Sequence, residues 1–434
     1  MTGSETLLAG VAEVDITPPI GTFLAGSLKP RQSTGIEDPL YVKAISIQSG
    51  KNRLVYVIFD LIALDRNTAE MGMKLTYEKT GILPESIVWA ASHTHTGPYT
   101  GGLFLDESLL DRKYLGSIPE KMTQCIAMAD KNKKVVRFSK LRSFHYGLSH
   151  NRRILFKNGR VINTWLLHNA PEDVQSIGSA GPIDPEIGIF CFDDMHGNLV
   201  AIIFHFTLHT NTNFGPKFSA DYPGVVAARI RERFGPDVIT LFMPGACGDI
   251  NSTGLRHRQV GDALAEKIIS AVETRKPESG PVFLCVKKCE MTVPIRDFTK
   301  DQTDRIMASG WDEESQKVFF KELEIMRKTG KKEDRTILQA WCIDDVGFVS
   351  LPGELFVEWG LKIKKESPFP FTYPVELGGD YLGYLITQQA WQQVGYESLI
   401  ARSARPTPTG VEKMVQKAIA MLCEIYKEKG EMEK

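Results

Sequence analysis

Residues 184–209, DPEIGIFCFDDMHGNLVAIIFHFTLH, contain two short apolar runs rich in β-branched and aromatic side chains. Runs of this kind predict buried β-strands. Four similar runs occur elsewhere in the chain: LVYVIFDLIAL (54–64), SIVWAAS (86–92), VITLFMPG (238–245) and VGFVSLPG (346–353). Amphipathic stretches that predict helices lie at 222–235, 260–276, 354–366 and 410–429. The alternation predicts an α/β fold of mixed sheets with flanking helices, and we expect one interwoven domain over residues 1–434.

The composition excludes several classes of protein. The 434 residues include 52 basic and 53 acidic side chains, so a nucleic-acid-binding surface is not indicated. No apolar stretch approaches the roughly 20 residues of a membrane helix. The first residues lack the pattern of a signal peptide, and the seven scattered cysteines predict reduced thiols rather than a disulfide framework. These features together predict a cytoplasmic protein.

Several predicted strands end in turns that carry chemically capable side chains. The strand at 86–92 leads into HTHTGP, which places His93 and His95 two residues apart. Because side chains alternate in an extended segment, both imidazoles are predicted to share a face, which suits a metal site. The same pair occurs in barrel-type amidohydrolases, but those usually place it after the first barrel strand. In α/β proteins, functional sites lie beyond the carboxyl ends of the strands. Because several predicted strands end in such turns, we expect these turns to form a single pocket.

Three further motifs supply possible partners. His205 and His209 lie in FHFTLHTNT, four residues apart and on one face of a strand, and residue type alone leaves open which of them is a core histidine. Glu354 follows LPG and opens a predicted helix, where a carboxylate is also stabilised by the helix dipole. Tyr381 and Tyr384 in GGDYLGYLIT are packing residues by default. Two histidines and one carboxylate match the ligand set of hydrolytic zinc enzymes.

The order and wording of these motifs resemble the neutral/alkaline (non-lysosomal) ceramidase family. The series runs from EVDITPP through SHTHTGP, the 184–209 strand pair, SADYPG, GACGDIN and LPGE to YLGYLIT and GYES. The resemblance implies that Zn²⁺ is bound by His93, His209, Glu354 and Tyr384. It returns His205 to the core.

The same resemblance implies roles for other side chains. His95 falls beside the metal ligands, where it can donate to the substrate or to the developing oxyanion. Arg152 in SHNRRI and Tyr396 in VGYES match an active-site arginine and tyrosine, which could hold a polar substrate group.

One departure from the family concerns the catalytic serine. In ceramidases it follows the glycine-aspartate pair, but here Asn251 stands at that position and Ser252 comes one place later. An amide cannot act as an acyl-accepting nucleophile, although it can stabilise an oxyanion. Presentation of Ser252 by a shifted turn stays open. The chain also has no room for the family's C-terminal immunoglobulin-like domain.

The expected function is therefore that of a zinc-dependent, ceramidase-like amidase, in which a metal-activated water attacks the carbonyl of a small-molecule or lipid-like N-acyl substrate. Two alternatives are a zinc esterase or amidase for a small polar or sugar-like substrate, and an inactive metal-dependent binding protein. The sequence leaves the oligomeric state open. It also leaves open whether the polar stretch 296–336, a possible helical insertion, caps the pocket.

Overall fold

The computed structural model describes residues 6–170, 174–298 and 302–432. The strands in chain order are β1 (Leu7–Asp15), β2 (Phe23–Leu24), β3 (Arg31–Gln32), β4 (Gly35–Ile36), β5 (Tyr41–Ser49), β6 (Asn52–Phe59), β7 (Ile87–Ala91), β8 (Lys134–Phe144), β9 (Ser149–Asn151), β10 (Arg153–Phe156), β11 (Val161–Asn163), β12 (Ser176–Ser179), β13 (Glu186–Asp194), β14 (Leu199–Phe206), β15 (Lys217–Phe218), β16 (Ile239–Pro244), β17 (Ile250–Ser252), β18 (Leu284–Pro294), β19 (Glu333–Ile343), β20 (Val346–Ser350), β21 (Glu354–Leu355), β22 (Phe371–Val375) and β23 (Tyr384–Leu385). The α-helices are α1 (Arg66–Thr80), α2 (Arg112–Lys131), α3 (Asp221–Phe234), α4 (His257–Glu273), α5 (Thr303–Met307), α6 (Glu313–Thr329), α7 (Val357–Glu366), α8 (Gln388–Gln393) and α9 (Pro408–Met432).

Two sheets form the centre of the protein. The larger has eight strands in the order β16-β14-β13-β8-β1-β5-β6-β7, and the smaller has four in the order β18-β19-β20-β22. Only the β6–β7 and β14–β16 pairs of the larger sheet are parallel. Each apolar run predicted as a strand lies in one of these sheets, and every residue of β14 is buried. A strand covered on both faces reads as a continuous apolar run, which explains the sequence pattern.

The hydrophobic core is divided into layers by the two sheets. Between them, Tyr56 of β6 stacks on Trp341 of β19 with ring centroids 6.1 Å apart. Helices α1 and α2 pack on the opposite face of the larger sheet against β5 and β6, and α3 and α4 pack on that face against β13 and β14. Helices α7 and α9 cover the outer face of the smaller sheet. The predicted fold of mixed sheets with flanking helices is confirmed.

The larger sheet curls towards the smaller one. The Tyr56 hydroxyl of β6 donates to the carbonyl of Phe242 in β16 at 2.8 Å, although five strands separate them in the sheet order. Lys43 of β5 likewise donates to the carbonyl of Thr240 in β16 at 3.3 Å. The curl brings the two edges of the sheet together, and with them the chain segments that follow β7 and β14.

The polar stretch 296–336 contains helices α5 and α6, as its composition predicts, although residues 299–301 lie outside the described part. Among the described helices, none is both long and apolar enough to cross a membrane. All seven cysteines are free thiols, including Cys285 and Cys342, which face each other across β18 and β19.

Candidate metal centre and its cavity

His93 occupies a tight turn immediately after β7. Its φ of 66° lies in the left-handed region, which costs a non-glycine residue of order 1–3 kcal/mol. The backbone N–H donates to the Leu61 carbonyl at 2.9 Å, and ring Nδ1 lies 2.7 Å from the Ile62 carbonyl. The predicted extended segment from His93 to His95 is therefore wrong, because this turn, rather than strand alternation, aims the His93 ring.

His209 lies three residues beyond the end of β14 at Phe206. Its ring Nδ1 is 3.1 Å from the Cys247 carbonyl. His205, still within the strand, points into the core, where Nε2 lies 2.8 Å from the Pro374 carbonyl and burial lowers the pKa of the ring to about 4. The prediction that both rings share a strand face is wrong because the strand ends between them.

The Nε2 atoms of His93 and His209 lie 3.1 Å apart. Each ring donates from Nδ1 to a backbone carbonyl, so in the neutral tautomers both Nε2 atoms present lone pairs to each other. Glu354 adds a carboxylate oxygen, Oε2, at 3.3 Å from His93 Nε2 and 3.8 Å from His209 Nε2. Oε2 is buried, and no residue in the described part of the chain donates a hydrogen bond to it. Such a convergence of buried acceptors fits a cation, and two imidazoles with a carboxylate suit Zn²⁺.

His95 lies beside this group. Its ring centroid is 5.0 Å from that of His93 and 5.1 Å from that of His209, and one nitrogen from each ring falls within a 4.8 Å cluster. Nδ1 faces the Gly26 carbonyl at 3.3 Å, and Nε2 is buried without a partner. Burial and the nearby His93 hold the pKa of His95 well below its usual value. In the neutral tautomer that donates from Nδ1 to Gly26, Nε2 is an acceptor; the donor role that the family resemblance implies stays a prediction.

The electrostatics of the ligand group depend on Glu354. Burial opposes a charged His93, but the Glu354 carboxylate outweighs it and raises the pKa of His93. Burial alone would raise the pKa of Glu354. The combined effect of His93, Arg152 and Tyr384 is larger and lowers the pKa, so this carboxyl is ionised. Its second oxygen accepts a hydrogen bond from the Tyr381 hydroxyl at 2.9 Å. The sequence pattern predicts both Tyr381 and Tyr384 to be packing residues, so it does not indicate this contact of Tyr381 with Glu354.

Arg152 connects the remaining predicted residues. Its guanidinium is buried and donates to the Tyr384 hydroxyl at 3.1 Å, to Asn251 Oδ1 at 3.3 Å and to Glu397 at 2.8 Å. Tyr396 stacks edge-on against Tyr384, with centroids 5.4 Å apart. The structure thus brings all eight predicted site residues together. Glu397, the counter-ion of Arg152, was missed because an acidic residue in GYES has no distinguishing pattern.

Asn251 and Ser252 are neighbours in β17, but only the Asn251 side chain lines the cavity. Asn251 lines the cavity, and its Oδ1 accepts from Arg152 and from Asn211 at 3.4 Å. No described residue accepts a hydrogen bond from its Nδ2, so this N–H is available to a ligand. Ser252 is absent from the described lining, and its hydroxyl donates to the Leu255 carbonyl at 2.9 Å.

A buried carboxyl below the centre holds two of its turns together. Glu376 accepts from the Cys247 N–H at 3.0 Å and from the Leu355 N–H at 3.1 Å. Burial raises the pKa of Glu376 to about 7. The contacts join the turn whose carbonyl orients His209 to the turn that carries Glu354. Sequence reasoning missed Glu376, which follows a strand like the other site residues.

The centre opens into a cavity of about 710 Å³. Four aromatic side chains, which we call the aromatic wall, line one part of it: Phe104, Trp165, Trp311 and Tyr396. The ring centroids of Phe104, Trp165 and Trp311 lie 5.8–6.3 Å from that of Tyr396. Trp311 comes from the polar stretch 296–336, so that stretch helps to enclose the cavity. The contacts among these four rings were not predicted, because the residues are distant in sequence.

The fold matches that of solved ceramidases. One is a crystal structure of neutral ceramidase from Pseudomonas aeruginosa, with a TM-score of 0.73 and 17% sequence identity over 97% of this chain and 75% of that chain. Another is a ceramidase complexed with C2, with a TM-score of 0.74 and 17% identity over 98% of this chain and 76% of that chain. No protein-family model and no curated protein sequence matches the chain. The chain therefore has the neutral ceramidase fold, as the motif series predicts.

Proposed function

We propose that this protein is a zinc-dependent hydrolase of the neutral ceramidase family that cleaves an N-acyl amide bond. The observation that carries the proposal is the convergence of His93, His209 and Glu354 at the base of a large aromatic cavity. The fold shared with solved ceramidases supports amide hydrolysis as the reaction.

The proposed ligands are His93, His209, Glu354 and Tyr384. When bound there, zinc supplies Lewis-acid polarisation of the substrate carbonyl and lowers the pKa of a water towards about 7. Carbonyl contacts at Nδ1 fix the tautomers of both histidines, which keeps their Nε2 lone pairs directed inwards. Burial raises the pKa of Tyr384 well above its usual value in spite of the neighbouring Arg152, so the phenol stays protonated unless a metal ion binds.

The chain's own residues supply the proton transfer and the charge stabilisation. His95 Nε2 is an unpartnered acceptor beside the ligand group, which suits it to take a proton from the attacking water. Asn251 Nδ2 donates to the oxyanion that develops on the carbonyl oxygen. Arg152 positions Asn251 and Tyr384 through hydrogen bonds to both side-chain oxygens.

The lining of the cavity favours an amphiphilic substrate such as an N-acyl sphingoid base. The aromatic wall and Leu103 offer apolar surface to an acyl chain, whereas a sugar-like substrate would leave that surface without a matching partner. The proposal places the protein in lipid metabolism. An inactive binding protein, the third possibility, would bind such a ligand in the zinc-loaded state without releasing the free acid.

The first test is the zinc content of purified protein by elemental analysis, together with release of dodecanoic acid from N-dodecanoylsphingosine. We expect about one zinc ion per chain in the wild type and loss of both zinc and turnover in His209→Ala. His205→Ala is the matched control, because His205 is also buried but lies in the core. This control is expected to retain zinc if it folds, and His196→Ala, at an exposed turn, controls for loss of a histidine without loss of stability.

Three results would contradict parts of the proposal. A wild type that is metal-free and cannot be reloaded with zinc would exclude the mechanism. Zinc retained by His209→Ala would show that the ligand assignment is wrong. Zinc-loaded protein that binds N-acyl lipids without turnover would establish the inactive binding protein instead.

A further inference from the structure

Arg31 reaches the cavity from the segment 25–31, close to the metal centre. One guanidinium nitrogen, Nη2, donates to the Ala25 carbonyl at 3.2 Å and to the His95 carbonyl at 3.4 Å. The Nε N–H is buried and has no acceptor among the described residues. The side chain is partly buried and lines the same cavity as the ligand group. Its third nitrogen, Nη1, has no hydrogen-bond partner among the described residues.

Arg31 differs from the other cationic side chains near the cavity because it lacks a counter-ion. Arg152 pairs with Glu397 at 2.8 Å, Arg402 pairs with Glu322 at 2.6 Å, and Lys29 pairs with Glu314 at 2.7 Å. Within 6–170, 174–298 and 302–432, no carboxylate lies within ion-pairing distance of Arg31. Removing a cation from water without a partner is unfavourable, and a negatively charged ligand would remove that cost.

We propose that Arg31 binds a carboxylate on the amine portion of the substrate, so that the protein acts on N-acyl amino acids or closely similar N-acyl carboxylates. This inference rests on the proposed amidase function and names, among amphiphilic N-acyl amides, those with a carboxylate in place of a sphingoid base. Because both N–H groups of Nη2 already donate to carbonyls, Nη1 is the guanidinium nitrogen left to a ligand, and its charged N–H groups bind a carboxylate better than a hydroxyl. Arg31 contacts the backbone of His95, whose ring lies beside the ligand group, and it shares the cavity with the aromatic wall, which offers apolar surface to an acyl chain.

The test compares two amides that differ only in this group. N-dodecanoylglycine and N-dodecanoylethanolamine have the same acyl chain and nearly the same length, but only the first carries a carboxylate. The ratio of their kcat/KM values is measured with zinc-loaded wild type, Arg31→Gln, Arg31→Lys and Arg229→Gln. Arg229 is the control because it is an exposed arginine on α3, paired with Asp262 outside the cavity.

We expect the wild type to prefer the carboxylate at least tenfold, and Arg31→Gln to reduce that ratio at least tenfold, mainly through KM. Arg31→Lys should retain part of the preference because it keeps the positive charge, and should lose the rest because it lacks the planar guanidinium. Arg229→Gln should keep the wild-type ratio. An equal ratio in wild type and Arg31→Gln would overturn the inference and leave the amidase proposal intact.

Direct binding separates the two hypotheses if neither amide is cleaved. Calorimetric titration of metal-free wild type and Arg31→Gln with N-dodecanoylglycine then reports on Arg31 alone. At least tenfold weaker binding to Arg31→Gln would support the carboxylate site even if the hydrolase proposal fails. Equal affinities would overturn the inference. Thermal melting of each variant checks that it is folded, and Arg31→Lys serves in place of Arg31→Gln if the latter is not.

Discussion

Replacing Glu397 by glutamine tests how the buried charges behind the metal centre are balanced. Glu397 is 1% exposed and accepts from Arg152 Nε at 2.8 Å and from Asn163 Nδ2 at 2.7 Å. Arg153 Nε lies 3.6 Å from its other oxygen. Both arginines are 2% exposed, and among the described residues Glu397 is the only carboxylate within ion-pairing distance of either guanidinium. The substitution Glu397→Gln conserves volume and removes only the charge.

The expected loss is large because a broken buried pair leaves an uncompensated charge. Such changes cost about 3–5 kcal/mol, against a total stability of about 5–15 kcal/mol for ordinary proteins. An exposed pair provides the comparison: Glu366→Gln removes the partner of Lys362 on α7, which should cost only about 0.3–0.5 kcal/mol. The free energies of unfolding are measured by urea titration, followed by fluorescence, for the wild type and both variants.

The same substitution should also lower turnover. Arg152 holds Tyr384 and Asn251 through its Nη atoms, and loss of its Nε partner frees the guanidinium to turn. We expect kcat of the folded Glu397→Gln protein to fall while Glu366→Gln retains wild-type turnover. A cost below about 1 kcal/mol for Glu397→Gln would refute the argument, because it would mean that water or another group already balances the arginines.

Three further predictions follow from contacts described above. In Gly248→Ala the added Cβ would lie 2.5 Å from the Glu354 carbonyl oxygen, so we expect at least tenfold weaker zinc binding by competition with a chelator. Gly116→Ala, whose Cβ would meet nothing within 4 Å, should bind zinc like the wild type. The folded-state pKa of His205 is about 4, below its usual value of about 6.5, so the unfolded chain binds more protons between these pH values. Stability should therefore fall by up to about 3 kcal/mol as the pH drops from 6.5 to 4, and His205→Gln should lack this component in urea titrations. Trp311→Ala should raise KM for dodecanoyl amides at least fivefold and leave KM for acetyl amides unchanged, and equal effects on both would exclude an acyl-chain role for the aromatic wall.

The sequence predicts six of the twelve strands in the two sheets, and these six are mostly buried: β6, β7, β13, β14, β16 and β20. Strand β14 is buried throughout, and all of its residues except His205 are apolar, which is typical of a central strand. The turns beyond the strands were harder, since their conformations depend on contacts between distant segments. His93 adopts a left-handed conformation that no local pattern indicates. Whether His205 and His209 share a face depends on the residue at which β14 ends, and hydrophobic periodicity locates such boundaries poorly.

Which candidate residues meet was predictable only through the family resemblance. Spacing alone left Tyr381 and Tyr384 equivalent, yet Tyr381 contacts Glu354 and Tyr384 contacts Arg152. Of the aromatic wall, only Tyr396 was predicted as a site residue, and Trp311 lies in the most polar part of the chain, where its sequence context does not indicate a cavity. Pairing across more than a hundred residues is a property of the three-dimensional packing, and a single sequence carries little information about it.

The curl of the larger sheet also constrains the order in which the protein can assemble. The edges that meet near the metal centre belong to β7 and β16, which are separated by about 150 residues of chain. Contacts between such distant segments form late, because a long loop must close before any interaction rewards it. During synthesis, the amino-terminal strands and α1 can pair while the histidine after β14 is still being made. Binding competence is therefore expected as one of the last properties the growing chain acquires, after Glu354 has emerged and the edges have met.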